Sequence, residues 1–118
     1  NGKLYVAGGN YAGKRLKSVE CFDPTTRVWT FIAHMNARRS NLSLAVLGDK
    51  LYAIGGDGRT SVECLNLSIP NGRWTPVASM TRPRACFGVA VTRGKIYAIG
   101  GEFDAKVFKD TSAIYFGS

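Results

Sequence analysis

One short pattern occurs three times in this chain and constrains its fold more than any other feature. Each copy ends in Tyr-x-x-Gly-Gly, and the glycine pairs follow one another at offsets of 47 and 45 residues. The copies are Asn1–Gly9, Gly48–Gly56 and Arg93–Gly101. The first two copies are followed by a Ser-Val-Glu-Cys run, a tryptophan and a methionine, at Ser18–Cys21, Ser61–Cys64, Trp29, Trp74, Met35 and Met80. This period predicts an array of similar units, because one such unit cannot bury its apolar residues alone.

The second repeat contains four short runs rich in β-branched and aromatic residues, which predict four antiparallel strands. We name these strands A to D in chain order and predict them at Leu42–Leu47, Lys50–Ile54, Ser61–Leu65 and Trp74–Val77. Gly48-Asp49 and Asn71-Gly72 are predicted to form the A–B and C–D turns, since such residues accept positive φ values. No window has helical periodicity of useful length, so the chain is predicted to be all-β.

The Tyr-x-x-Gly-Gly run, the tryptophan after it and the later Met-x-x-x-Arg resemble the kelch repeat. The resemblance covers the whole chain and implies a kelch-type β-propeller in which each repeat is a four-stranded blade. We expect strands B to D of blade one in residues 1–35, blade two in 36–80, and strands A to C of blade three in 81–118. Propellers close with about four to eight blades, so about two and a half blades leave the ring open. We therefore expect a fragment of a longer protein that folds poorly alone.

Glycines and large aromatic residues that recur with the repeat are interpreted as structural. The glycines end strand B where a side chain would not fit, and the aromatic residues are expected to pack between strands and neighbouring blades. A phosphate cradle is the alternative for the glycine pairs, but no helix follows them and no nucleotide-binding glycine pattern is present. These residues are Gly8, Gly9, Gly55, Gly56, Gly100 and Gly101, with Tyr5, Tyr52, Tyr97, Trp29 and Trp74.

Sixteen basic and eight acidic residues give the chain a formal charge of +8, which favours acidic partners. The expected partner is a protein or an acidic peptide, and nucleic-acid binding, which charge alone would suggest, ranks last. No membrane partner is expected, because no apolar run approaches the ~20 residues that cross a bilayer. Three cysteines without a disulfide or zinc pattern indicate a reducing compartment, so we expect a cytoplasmic protein that could associate with the cytoskeleton.

Two arginines lie four residues after the repeated methionines, where the chain enters the innermost strand A. In kelch-like adaptor proteins, similar arginines belong to a pocket that holds acidic peptides, and a guanidinium can bind a carboxylate through two hydrogen bonds. The alternative is that each arginine pairs internally with a loop carboxylate or a backbone carbonyl between blades. The partner-binding candidates are Arg39 and Arg84, their polar neighbours Ser40 and Asn41, and, by position in the variable loops alone, Tyr11, Arg59 and Phe103.

Together these features favour a protein-protein interaction scaffold over an enzyme, with no catalytic, metal or cofactor site. His34 is the only histidine, and a hydrolytic triad or a multi-histidine metal site needs further residues. The resemblance implies the substrate-recognition part of a BTB-kelch adaptor for a cullin E3 ubiquitin ligase. The first alternative is an actin-binding cytoskeletal kelch module, and the second is a fragment of a kelch-type enzyme.

Overall fold

A computed structural model describes residues 2–104, 106 and 107 and the backbone of residues 111–114. Within these residues the chain forms strands and connections but no helix. The described residues therefore contain no helix long enough to cross a membrane. The strands are β1 (Leu4–Ala7), β2 (Asn10–Tyr11), β3 (Lys14–Arg15), β4 (Val19–Asp23), β5 (Val28–Ile32), β6 (Ser43–Leu47), β7 (Lys50–Ile54), β8 (Val62–Asn66), β9 (Thr75–Val77), β10 (Gly88–Thr92), β11 (Lys95–Ile99), β12 (Glu102–Phe103), β13 (Lys106–Val107) and β14 (Thr111–Ile114).

Three larger sheets follow the three repeats, and we call them blades one, two and three. Blade one has the strand order β1-β4-β5, blade two has β6-β7-β8-β9, and blade three has β10-β11-β14. All their strand pairs are antiparallel. The hairpins β2-β3 and β12-β13 stand in the B–C connections of blades one and three. The predicted all-β, partial propeller is confirmed, and its three blades do not close a ring.

In blade two the four observed strands follow the four predicted ones closely. The β7 strand coincides with predicted strand B, while β6, β8 and β9 each begin one residue later than predicted. Leu47 pairs with Lys50, so Gly48-Asp49 forms the two-residue A–B turn, with Gly48 at φ +64°. In the C–D connection Asn71 has φ +55°, whereas Gly72 does not adopt a positive φ. Residues 105, 108–110 and 115–118 of the predicted third blade lie outside the described residues.

Apolar side chains bury the two interfaces between neighbouring blades. Successive residues of β7 point to opposite sides of the sheet. Leu51 and Ala53 therefore face blade one, while Tyr52 and Ile54 face blade three. The interface of blades one and two contains Val19, Met35, Leu51, Ala53, Leu65 and Trp74. The interface of blades two and three contains Ala45, Tyr52, Ile54, Val62, Cys64, Met80, Phe87, Ile96 and Ala98.

The repeated glycine pairs lie where one blade approaches the next most closely. A side chain at Gly8 would collide with the carbonyl oxygen of Arg39, and a Cβ atom at Gly55 would lie 2.8 Å from the carbonyl oxygen of Arg84. In the first two pairs the second glycine bridges the blades, because Gly9 N donates to Arg39 O at 2.7 Å and Gly56 N donates to Arg84 O at 2.9 Å. Contacts this close require a residue without a side chain.

The repeated aromatic residues differ in burial. Tyr52 and Trp74 are buried, and Tyr5 and Tyr97 are half-buried. Trp29 is 47% exposed, and its ring lies against that of Phe22 on the paired strand, at a centroid distance of 4.9 Å. It is exposed because it lies on the side of blade one that faces away from blade two, so its packing against a neighbouring blade stays a prediction. Its equivalent, Trp74, is buried because blade one covers that side of blade two.

Candidate protein-binding face

The D–A and B–C connections meet at one end of the blades. The D–A connections are residues 33–42 and 78–87, and the B–C connections are 8–18, 55–61 and 100–110. They are joined through the backbone, since Arg39 N donates to Leu16 O, Asp57 N to Ser40 O, and Met80 N to Thr60 O, each at 2.9 Å. We call this end of the chain the loop face.

Arg39 does not lie on the loop face, because its side chain is only 1% exposed. Its Nη1 donates to the carbonyl oxygens of Gly55 and Ser61, each at 2.8 Å. Its Nη2 donates to Ser61 Oγ and to Glu63 Oε2, each at 3.0 Å. Burial lowers the pKa of Arg39, and the Glu63 carboxylate counteracts part of that effect. This guanidinium connects the start of strand A to strands B and C of its own blade.

Glu63 is the carboxylate at the centre of this network and is 3% exposed. Besides Arg39, it accepts hydrogen bonds from Asn36 N at 2.7 Å and from Ala37 N at 3.2 Å. Trp74 fixes the same D–A connection at two further points. Asn36 Nδ2 donates to Trp74 O, and Trp74 Nε1 donates to Ala33 O. Glu63 therefore fixes both the buried arginine and the D–A backbone that carries it.

Arg84 occupies the equivalent place in blade three and is fully buried. Its Nη1 donates to the carbonyl oxygen of Gly100 at 2.6 Å. The side chains of Arg39 and Arg84 are buried, so their role in binding a partner stays a prediction that these contacts do not support. The contacts are those of the alternative, in which each arginine pairs internally with a carboxylate or a backbone carbonyl.

Ser40 and Asn41 bind a loop carboxylate rather than facing a partner together. Ser40 Oγ donates to Asp57 Oδ2 at 2.7 Å, and the side-chain amide of Asn41 reaches the same oxygen at 3.0 Å. Ser40 is buried, whereas Asn41 is exposed at φ +57°. Their contacts fix the B–C connection of blade two against the start of its own strand A, and only Asn41 retains surface for a partner.

Three arginines on the loop face form a connected set that we call the arginine trio: Arg15, Arg38 and Arg59. Arg59 Nε donates to the carbonyl oxygen of Arg38 at 2.8 Å, and Arg38 Nη1 donates to that of Arg15 at 3.2 Å. Arg15 Nη1 closes the series with a longer contact of 3.4 Å to Asp57 O. All three acceptors are backbone carbonyls, and within the described part of the chain none of these guanidinium groups pairs with a carboxylate.

The trio contains one sequence candidate, Arg59, and two arginines that the sequence did not single out. Arg15 lies in the short hairpin of blade one, and Arg38 precedes the buried Arg39. A signal was present at Arg38: adjacent arginines in an extended segment point to opposite sides, so one of the pair had to face solvent. The contacts between three separate connections could not be read from the sequence.

Tyr11 and Phe103 lie on the two short hairpins of the loop face. Tyr11 is 76% exposed and pairs across its hairpin with Lys14, and Phe103 is also exposed and pairs with Lys106. Each hairpin therefore presents an aromatic ring beside a basic residue. The two hairpins belong to blades one and three, on either side of blade two.

The described residues contain no group of three histidine, cysteine or acidic residues placed to hold a metal ion. A cleft of about 640 Å³ lies away from the loop face, on the outer strands of blade two, and includes Tyr52, Cys64 and Arg73. Burial, and then the neighbouring Cys64, raise the pKa of Tyr52 to about 12, which keeps its hydroxyl protonated.

Comparisons with known proteins agree with this architecture. A family model described as "Kelch motif" matches residues 1–36, 38–81 and 83–111. The influenza virus NS1A-binding protein homolog of Xenopus laevis is 50% identical over 56 residues, which cover 48% of this chain and 9% of that protein. Kelch-like protein 28 of Homo sapiens is 45% identical over 70 residues, covering 52% of this chain and 12% of that protein.

The chain thus matches only about a tenth of the length of these relatives. A solved structure titled "Structure of YjhT" superposes on 86% of this chain and 41% of its own chain, with a TM-score of 0.71. Its sequence identity is 22%, so this likeness concerns the fold alone.

Proposed function

The chain belongs to the kelch-repeat family, and we propose that it is a protein-interaction module whose loop face binds an acidic segment of a partner protein. The observation that carries this proposal is the arginine trio. Its guanidinium groups are held in place by backbone carbonyls, which leave their charge unneutralised. Arginine's planar group can then pair with a carboxylate of the partner through two hydrogen bonds.

Position and chemistry both support the trio as the centre of the site. Its members come from three different connections, and the exposed ring of Tyr11 lies on the same hairpin as Arg15. Hot spots of protein interfaces are rich in arginine and tyrosine, because these side chains combine apolar area with a polar group. Three guanidinium groups carried by separate connections would suit an extended peptide with two or more acidic side chains.

Within a longer protein, we propose that this module recognises substrates for a cullin E3 ubiquitin ligase of the BTB-kelch type. The kelch repeats and the similarity to a protein named Kelch-like protein 28 support this proposal. The name of the Xenopus laevis relative also describes a protein that binds another protein. Binding to actin through the same basic face is the alternative that the test below must separate.

The test compares two variants that remove equal charge. One replaces the trio by Arg15→Gln, Arg38→Gln and Arg59→Gln. The control replaces exposed arginines at the other end of the blades by Arg27→Asn, Arg73→Gln and Arg93→Asn, where asparagine suits the positive φ values of Arg27 and Arg93. Binding of a fluorescent peptide that contains alternating glutamate and glycine is measured by anisotropy, and co-sedimentation with actin filaments is measured beside it.

We expect each trio substitution to weaken peptide binding by about tenfold, or ~1.4 kcal/mol, and the control variant to bind like the parent. Circular dichroism checks that both variants remain folded. Equal losses in the trio and control variants would refute the site, because they would mean that only net charge matters. If the parent protein co-sediments with actin filaments and the trio variant does not, the result would favour the cytoskeletal alternative.

A further inference from the structure

Strand β5 forms the outer edge of blade one, on the opposite side of the sheet from β1. Among the described strands it pairs only with β4, which leaves alternate N–H and C=O groups of its other edge without a strand partner. Its sequence is Val-Trp-Thr-Phe-Ile, and four of these five residues are exposed. The edge therefore contains neither a proline nor a charged residue, the residue types with which proteins commonly block an edge strand.

The outer edge of blade two differs and provides a comparison within the same chain. Strand β9 has only three residues, and Pro76 is the central one. Proline has no N–H group to donate, and on an edge strand it hinders pairing with a further strand. The outer edge of blade two is therefore protected, whereas that of blade one is open to an added strand.

An apolar cavity of about 290 Å³ adjoins the end of β5, between blade one and the C–D connection of blade two. Residues 31–33 line it on one side, and residues 65–67 and 69–72 line it on the other. Ile69 in this lining is a large apolar residue that is nevertheless 55% exposed. Sites for small molecules usually measure about 300–1,000 Å³. The cavity is smaller than these, and it suits the side chains of a longer segment.

A polar pocket continues the apolar cavity beyond the end of β5. The two share Ala33, whose carbonyl oxygen accepts a hydrogen bond of 2.7 Å from Trp74 Nε1. The guanidinium of Arg73 is exposed and makes no hydrogen bond or ion pair with any other described residue. The pocket is lined by Ala33, His34, Asn36, Arg73 and Trp74. We call the apolar cavity and this pocket together the outer seam.

We propose that the outer seam binds an extended segment of a partner protein, which pairs with β5 as an added strand and carries acidic residues before its apolar ones. Ile32 pairs with Val19, which is buried against blade two, so Val28, Thr30 and Ile32 lie on the side of the sheet that faces blade two. Alternate side chains of an added strand would point to the same side and reach the apolar cavity.

The order of the residues in the segment follows from the direction of β5. Antiparallel pairing is the commoner arrangement of two strands. An antiparallel segment would begin beside His34 and Arg73 and continue past the apolar cavity towards Val28. Its first residues would therefore meet the arginine, and its later ones the apolar lining.

Charge favours a partner protein over a second copy of the chain as the occupant. The Arg73 guanidinium can bind a carboxylate through two hydrogen bonds. The β5 strand of a second copy has no carboxylate to offer, and two copies that each carry a formal charge of +8 repel one another. The outer seam is separate from the loop face, so this proposal is independent of the proposed function.

The test uses a fluorescein-labelled peptide that has two glutamates followed by alternating valine and threonine. Its binding to the full chain is measured by anisotropy. Two further peptides carry N-methyl groups on alternate backbone amides, one on each of the two alternating sets. Only one set faces β5 in an added strand. We expect one methylated peptide to bind like the unmethylated peptide and the other to bind at least about tenfold more weakly.

Variants of the protein locate the peptide. Ile69→Glu should weaken binding at least about tenfold, because it places a charge in the apolar lining. Val107→Glu is the matched control, since it adds the same charge at another exposed apolar residue that lies away from the outer seam. Replacing the glutamates of the peptide by glutamine should weaken binding to the parent but not to an Arg73→Gln variant. Circular dichroism checks that each variant is folded.

Three results would overturn the proposal. They are a peptide that does not bind, equal affinities of the two methylated peptides, and equal effects of Ile69→Glu and Val107→Glu. An affinity that the trio variant lowers and Ile69→Glu does not would place the peptide on the loop face instead. Self-association of the chain that Ile69→Glu abolishes, measured by sedimentation, would assign the outer seam to a second copy.

Discussion

Replacing Glu63 by glutamine tests how much the buried network stabilises blade two. The carboxylate accepts four hydrogen bonds, two from the Arg39 guanidinium and two from the backbone of Asn36 and Ala37. Glutamine has the same size and keeps one acceptor oxygen, but its amide group would turn two hydrogens towards donors. The substitution also leaves the charge of Arg39 buried without a counter-charge.

The magnitude follows from this loss. Removing one member of a buried ion pair costs about 3–5 kcal/mol, because the other charge remains out of water. At roughly 0.05–0.15 kcal/mol per residue, a chain of this length has a total stability of about 6–18 kcal/mol. Glu63→Gln should therefore remove a large fraction of the stability, and a chain near the lower limit would no longer unfold cooperatively.

The assay is urea unfolding followed by far-ultraviolet circular dichroism, with Glu20→Gln as the matched control. Glu20 holds the same register position in blade one, yet its carboxylate has no described partner in this chain. We expect the control to change the free energy of unfolding by less than about 0.5 kcal/mol, as for an ordinary surface substitution. Equal effects of the two substitutions would refute the reasoning, because burial and pairing would then contribute nothing.

Two further predictions concern titration and thiol reactivity. Because burial raises the pKa of Tyr52 from its ordinary value of 10.0 to about 12, stability should be complete below pH 10 and fall as the pH rises from 10 to about 12. The free energy of unfolding of the parent and of Tyr52→Phe is measured between pH 9 and pH 12, roughly the range of the tyrosine titration. The same loss of stability in both proteins would show that Tyr52 is not its cause. Burial also raises the pKa of the Cys64 thiol, so a thiol reagent should label the exposed Cys86 first and reach Cys64 only in urea. Rapid labelling of Cys64 in a folded Cys86→Ser variant, without urea, would contradict this order.

The repeat predicted most of the fold because its landmarks occupy fixed places in each blade. The strands of blade two could be predicted to within one residue, since Gly48-Asp49 marks their first turn. Burial of Trp29 could not be judged from the repeat alone. The residues that bury Trp74 come from the preceding blade, and the repeat pattern does not say whether such a blade stands beside each copy.

The candidate site was harder to predict because it depends on the direction of individual side chains. Arg39 and Arg84 were correctly identified as repeated residues, but the sequence left open whether they bind a partner or their own blade. Their guanidinium groups reach backbone carbonyls of Gly55 and Gly100, and such acceptors have no sequence signature. Arg15 and Arg38 were not among the sequence candidates, because their contacts join connections far apart in the chain.

Arg38 and Arg39 are neighbours in the chain, yet one supports the scaffold and the other faces solvent. The division makes the loop face evolvable. A library that varies Tyr11, Arg15, Arg38 and Arg59 would change exposed or half-exposed side chains, and the three arginines among them donate to backbone carbonyls. The buried Arg39 would stay untouched. Selection from such a library could create new specificities on one framework, in the way that antibody loops vary on a constant sandwich.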